Sequence, residues 1–141
     1  MKYEFASPLW MAALHGVIAE RVARELPDKP DLVMSICEVF DGAPAHIAPD
    51  GVAAWSCVVE DGAVDFRPAA RGDVAVQVRA DYAAVVPLGR YVVGGDPARQ
   101  AELTAMGAAI AAAGKLRRTG ERPPPERALS SIHDAIARLT A

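Results

Sequence analysis

An Asp-Gly pair at positions 61 and 62 separates two segments rich in β-branched and aromatic residues, and it constrains the fold of this chain most strongly. The first segment runs from Trp55 to Glu60, and the second runs from Ala63 to Phe66. A two-residue turn of this kind needs positive φ at both central positions, which aspartate and glycine tolerate better than most residues. The sequence therefore predicts a β-hairpin with its turn at Asp61-Gly62.

Apolar and polar residues alternate in the segment that follows the hairpin. Val74, Val76 and Val78 fall on one face, and polar residues such as Gln77 fall on the other, which is typical of a strand with one buried face. A further strand is predicted over residues 32–40. A sheet with one covered face, bracketed by helices, favours a container for an apolar small molecule over a conventional catalytic centre.

Helix signals flank the predicted strands. Ser7-Pro8 is typical of an N-cap followed by proline at the first helical position, and Pro27 ends this helix. A short helix is expected after Asp81, and Asp96-Pro97 repeats the cap-plus-proline start. No internal repeat is present, so we expect a single α+β domain over residues 1–141.

The helix after Pro97 is very rich in alanine, and its buried side is predicted to contain Leu103, Met106 and Ile110. Alanine gives high helix propensity but little side-chain volume. Such a helix either packs very closely on the sheet or leaves room for a ligand.

Composition excludes several classes of function. The 141-residue chain is 52% hydrophobic and can bury a core, while its net charge of −3 argues against binding of nucleic acid. The basic cluster of Lys115, Arg117 and Arg118 is interpreted as a solvent-facing strand or turn rather than a phosphate site. No apolar run could span a bilayer, and the N-terminal residues lack a signal-peptide pattern, so we expect a cytoplasmic protein without stable membrane insertion.

Cysteine and histidine spacing gives no metal-binding motif. Cys37 and Cys57 lie in predicted strands, and two buried free thiols are expected rather than a disulfide. The three histidines, His15, His46 and His133, are far apart in sequence. We therefore expect neither a metal nor a cofactor.

Four segments follow the hairpin in a characteristic order: DVAVQV (73–78), RADYAAVVPLGR (79–90), GGDPARQ (94–100) and GKLRRTGE (114–121). Together with the hairpin, over about residues 55–121, this order resembles that of sterol carrier protein type 2 domains. The resemblance implies a five-stranded, mostly antiparallel sheet that helices cover around a hydrophobic tunnel.

The same resemblance implies that the protein binds or carries a lipid, fatty acyl or sterol-like molecule between sheet and helices. Ordinary core packing is the competing interpretation for each apolar residue that could line such a cavity. Methionine adapts to varied ligand shapes, so Met106→Trp is predicted to fill the cavity. The candidate lining residues are Trp55, Phe66, Val85, Leu88, Leu103, Met106 and Ile110.

A small acid–base enzyme with a curved-sheet cone, of the ketosteroid isomerase type, is the alternative. It needs a carboxylate base, for which Asp41 and Asp65 are candidates, and a hydroxyl donor, for which Tyr82 and Tyr91 are candidates. The competing interpretations are that Asp41 lies in a turn, that Asp65 lies on the solvent face of a strand, and that Tyr82 is a half-buried anchor.

The final helical segment raises two further points. His133 and its neighbour Asp134 diverge by about 100° on a helix and cannot form a dyad, so we expect His133 to bond to a loop carbonyl. The same segment has a narrow apolar stripe that favours packing on its own sheet and leaves a homodimer open. The stripe consists of Leu129, Ile132, Ile136 and Leu139.

Overall fold

The computed structural model describes all 141 residues and contains four α-helices and one five-stranded sheet. The sheet order is β3-β2-β1-β4-β5, in which β1 and β4 run parallel and the other three neighbouring pairs run antiparallel. The predicted α+β class and the mostly antiparallel sheet are therefore confirmed. In chain order the elements are α1 (Pro8–Glu25), β1 (Met34–Asp41), β2 (Val52–Glu60), β3 (Ala63–Arg67), β4 (Val76–Asp81), α2 (Tyr82–Gly89), α3 (Pro97–Ala112), β5 (Leu116–Gly120), a 3₁₀ turn (Pro125–Arg127) and α4 (Ile132–Ala137).

The hairpin forms where the sequence predicts it. Asp61 and Gly62 have φ values of 52° and 77°, and β2 pairs with β3 from Glu60–Ala63 to Ser56–Arg67. Positive φ at both central residues is the geometry that matches the twist of the flanking strands.

The strand register determines which side chains share the helix-covered face of the sheet. Directly opposed residues on neighbouring strands point to the same face. One row across β2, β1, β4 and β5 consists of Trp55, Glu38, Val78 and Arg118. The adjacent row on that face consists of Ala53, Phe40, Ala80 and Leu116.

Helix α1 covers one half of this face. The Ser7 side chain accepts a 3.1 Å hydrogen bond from the Trp10 backbone N–H, and Pro8 occupies the first turn, as the cap signal predicted. The buried residues of the helix share one face and are Trp10, Met11, Leu14, Ile18 and Val22.

Phe5 connects α1, the sheet and α2. Its ring meets Trp10 edge-on at 5.0 Å and Phe40 edge-on at 4.9 Å, and its carbonyl accepts a 2.7 Å hydrogen bond from the Tyr82 hydroxyl. A Cβ at Gly89 would lie 2.7 Å from the Phe5 ring. The absence of a side chain at Gly89 therefore lets the end of α2 approach this aromatic cluster.

Both cysteines are free and buried, as predicted. Cys37 pairs with Ser56 and Cys57 pairs with Ile36, so the two thiols lie on opposite faces of the sheet and cannot bond to each other. Burial raises the pKa of the Cys57 thiol to about 12, which keeps it protonated and unreactive at neutral pH.

The C-terminal segment is less helical than the apolar stripe predicted. The final helix spans only Ile132–Ala137, and Leu129 lies before it, after the 3₁₀ turn. The stripe packs against the core of its own chain, with Ile136 buried. The Thr140 hydroxyl accepts a 2.9 Å hydrogen bond from Trp10 Nε1, which fixes the terminus on α1. A homodimer stays a prediction.

Helix α3 was predicted to bury one side, and the structure shows that it does not. None of its 16 residues is buried, and Leu103, Met106 and Ile110 are only partly covered. The helix lies over the second half of the sheet face and touches mainly α2 and β5. Across the whole molecule, no helix combines the length and the apolar character needed to traverse a lipid bilayer.

Candidate functional site

A cavity of about 990 Å³ lies between the sheet and α3. Its floor is formed by the half of the sheet that α1 leaves uncovered, with Phe40, Val78, Ala80 and Leu116 on adjacent strands. Its walls come from α2, from the loop after α2 and from the start of α4. The space is large enough for a small molecule of lipid or drug size.

The small residues of α3 explain why this space is not filled by protein. Gly107, Ala108 and Ala111 line the cavity from the helix side, and a Cβ added at Gly107 would meet no atom within 4 Å. Protein interiors normally close such gaps with interlocking side chains. A roof of glycine and alanine cannot reach the sheet, so the helix and the sheet stay apart.

One end of the cavity is apolar. Phe5, Phe40, Val85 and Leu88 line it, next to Gly89. These residues lie at the junction of β4 and α2, where the Asp81 carboxylate accepts a 3.0 Å hydrogen bond from the Ala84 N–H and begins the helix. An apolar group placed here would be removed from water on several sides.

The other end of the cavity contains a carboxylate, that of Glu38. It projects from the middle of β1 and accepts a 3.0 Å hydrogen bond from Trp55 Nε1 on β2. Burial raises the pKa of Glu38, and this effect outweighs the opposing influences of the Trp55 donor and of Arg118 and Arg122. A partly buried acid in an apolar enclosure is a feature that ordinary core packing does not need.

Two arginines line the same end. Arg118 lies in the sheet row of Glu38 with Val78 between them, and Arg122 follows the end of β5. Burial and the neighbouring charge of Arg122 lower the pKa of Arg118, although its side chain still reaches solvent at the cavity opening. Lys115, Arg117 and Arg118 are all exposed, as the interpretation of the basic cluster requires, and strand alternation places Arg118 on the cavity side of the sheet.

His133 and Asp134 form part of the rim near α4, and both are engaged with backbone groups. His133 Nε2 lies 2.7 Å from the Tyr91 carbonyl oxygen, which confirms the predicted loop contact. The Asp134 carboxylate accepts bonds of 2.8 and 2.9 Å from the Val93 and Gly94 N–H groups, and these bonds lower its pKa. The pair therefore anchors the loop between α2 and α3.

Three of the seven predicted ligand-binding residues, Val85, Leu88 and Leu103, line the cavity. Trp55 and Phe66 lie beside it in a stack, with ring centroids 5.7 Å apart, and His15 of α1 stacks on Phe66 at 4.8 Å. Met106 and Ile110 are on α3 but not among the lining residues. A direct ligand contact stays a prediction for all seven.

The four residues of the alternative acid–base hypothesis do not line this cavity. Asp41 pairs with Arg79 on the open face of the sheet, and Asp65 is exposed there, beside two arginines. The Tyr82 hydroxyl donates to the Phe5 carbonyl, and the Tyr91 hydroxyl bonds to Glu102. The arrangement does not bring these four side chains together.

Glu38 is not among the predicted site residues, although its position in the sequence carries a signal. Ile36, Glu38 and Phe40 alternate on the inner face of β1, so a carboxylate stands in an otherwise apolar series. A polar residue at an inward strand position indicates either a buried partner or a site. No three histidine, cysteine, aspartate or glutamate side chains are arranged to hold a metal ion.

Comparison with solved structures identifies the fold as sterol-carrier-like. A conserved hypothetical protein from Thermus thermophilus, for which a sterol carrier role is suggested, matches with a TM-score of 0.54 at 12% identity, over 100% of this chain and 94% of that one. A second structure, described as the UbiJ-SCP2 ubiquinone synthesis protein, matches with a TM-score of 0.46 at 16% identity, over 98% and 93% of the two chains. No family model matches the sequence, and no curated protein matches it.

The chain thus has a sterol-carrier-like α+β fold, as the sequence resemblance implied. The identities to these structures are low, so the likeness is one of fold, and the site must be argued from its own residues.

Proposed function

We propose that this protein binds or carries a hydrophobic small molecule, of lipid, fatty acyl or sterol-like type, in the cavity between the sheet and α3. The observation that supports the proposal best is the 990 Å³ space between a sheet face with apolar side chains and a helix that buries none of its residues. An ordinary core would fill such a space.

The driving force is removal of apolar surface from water, worth roughly 25 cal/mol per Å². Phe40, Val78, Leu88, Leu103 and Leu116 supply the apolar surface of the enclosure. A ligand between these residues would complete the core on this side of the sheet. Binding of the ligand would therefore stabilise the packing of α3 on the sheet.

The setting of this activity is a reducing compartment, the cytoplasm. Both cysteines are free, and because they lie on opposite faces of the sheet they cannot form a disulfide with each other. Free buried thiols of this kind are typical of cytoplasmic proteins.

The experiment is native mass spectrometry of the purified protein, followed by organic extraction of whatever accompanies it. A co-purifying hydrophobic molecule, released on denaturation, is the expected result and would give the ligand's chemical class. Protein that is empty and also fails to take up neutral apolar probes would contradict the proposal.

A further inference from the structure

Arg118 and Arg122 are the two arginines that line the cavity, and neither has a carboxylate partner. Five arginines form ion pairs with aspartate or glutamate, but Arg118 and Arg122 form neither an ion pair nor a side-chain hydrogen bond. The paired arginines are Arg21, Arg24, Arg67, Arg71 and Arg79. Two unpaired guanidinium groups therefore line one end of the apolar cavity.

The position of these two guanidinium groups at the cavity favours their interaction with an anion. Arg118 lies beside Val78 in the same row of the sheet, so an apolar side chain borders it on the cavity side while the residue stays exposed. Charges at such a boundary interact more strongly than they would in bulk water. Each guanidinium also presents several N–H donors in a planar fork that fits a carboxylate or a phosphate.

We propose that Arg118 and Arg122 bind the anionic head, a carboxylate or phosphate, of an amphiphile whose apolar part fills the rest of the cavity. The inference rests on the proposed function and gives its ligand a charge and an orientation. The chain of the amphiphile extends from the arginines over Val78 and Ala80 toward Phe5 and Leu88.

Glu38 sets the strength of this anion site. It lies two strands from Arg118 on the same sheet face, about 10 Å away between backbones. The two form no direct ion pair, so the arginines keep their donors free for a ligand. A negative charge on Glu38 opposes an incoming anion, so replacement of Glu38 by glutamine strengthens anion binding.

The adjacent residue Arg117 provides a matched control. It pairs with Arg79 in the strand register and lies on the opposite face of the sheet, beside Asp41 and Lys115. Arg117→Gln and Arg118→Gln change the same charge on the same strand, but only the second variant alters the cavity.

The test compares decanoate and decyl phosphate with decanol, which has the same chain and no charge, by calorimetric titration at pH 8. We expect both anions, or one of them, to bind the wild-type protein about tenfold more tightly than decanol. Arg118→Gln and Arg122→Gln should abolish that preference while decanol binding persists, and Arg117→Gln should leave it intact. Glu38→Gln should increase the affinity for the anions alone.

Each contrary result has a separate meaning. Equal affinity for decanol and both anions, or an anion preference that survives the loss of Arg118 and Arg122, would overturn the anionic-head proposal. Inorganic phosphate that binds as tightly as decyl phosphate would also overturn it, since the apolar chain would then contribute nothing. Failure of all three ten-carbon probes to bind would instead contradict the proposed function.

Discussion

The indole Nε1 of Trp55 donates a 3.0 Å hydrogen bond to the carboxylate of Glu38, directly across the β1–β2 ladder. This bond places the one inward-facing acid of β1 at the edge of the cavity and gives it a single protein donor. Burial nevertheless raises the pKa of Glu38 above its usual value of 4.5. The fold thus tolerates the ionised form of Glu38 and gains no stability from it.

Glu38→Gln is expected to stabilise the protein at neutral pH. An acid whose folded pKa is raised contributes stability below its unfolded pKa and loses that contribution as pH rises through the folded pKa. The neutral variant should therefore gain on the order of 1 kcal/mol at pH 7.5, and the gain should vanish near pH 4. Thermal unfolding of both proteins across this range measures it, and a variant that is less stable than wild type at pH 7.5 would contradict the account.

Trp55→Phe should raise the pKa of Glu38 further, because it removes the donor that opposes the effect of burial. It should also destabilise the fold by about 1–3 kcal/mol, since an acceptor is left without its partner. Carboxyl-carbon NMR titration measures the pKa.

Trp10→Phe is the matched control, because Trp10 Nε1 donates to Thr140 and not to the cavity. It should lower stability without moving the titration of Glu38. An identical Glu38 titration in the wild type and in Trp55→Phe would show that the indole bond has no influence on the acid.

Gly89→Ala and Gly107→Ala should have opposite effects. A Cβ at Gly89 would lie 2.7 Å from the Phe5 ring, whereas one at Gly107 would meet nothing within 4 Å. Overpacking at Gly89 should destabilise by about 1–3 kcal/mol. Alanine within α3 should stabilise by about 0.5–1 kcal/mol through helix propensity. Denaturant unfolding measures the free energy of unfolding of both variants. A change of the same sign in both would contradict the close contact at Gly89 and the open space at Gly107.

Local chemistry made much of the fold predictable. The Asp61-Gly62 turn and the Ser7 cap depend on adjacent residues, so the sequence alone specified them. The distance of α3 from the sheet depends on residues far apart in the chain, and its alanines were compatible with close packing or with a gap. Periodicity on α3 therefore suggested Met106 as a lining residue, while the structure places Gly107 and Ala108 there.

The polar end of the cavity was harder to predict for a different reason. Glu38 and Arg118 are 80 positions apart in the sequence, and the pairing of both strands with β4 places them in one row on the same face of the sheet. In sequence, Arg118 belongs to a basic run that favours solvent exposure. Only the register shows that Arg117 and Arg118 face opposite sides of the sheet.

The most direct measurement is the titration of the wild-type protein with Nile red, a neutral apolar fluorophore, beside Ala108→Phe and Ala109→Phe. Ala108 lines the cavity and its neighbour Ala109 does not, so the same ring is added inside the space in one variant and outside it in the other. We expect saturable one-to-one binding by the wild type and Ala109→Phe, and binding at least about tenfold weaker by Ala108→Phe. Binding that is equal in the two variants, or absent from the wild type, would contradict the claim that this cavity holds a hydrophobic ligand.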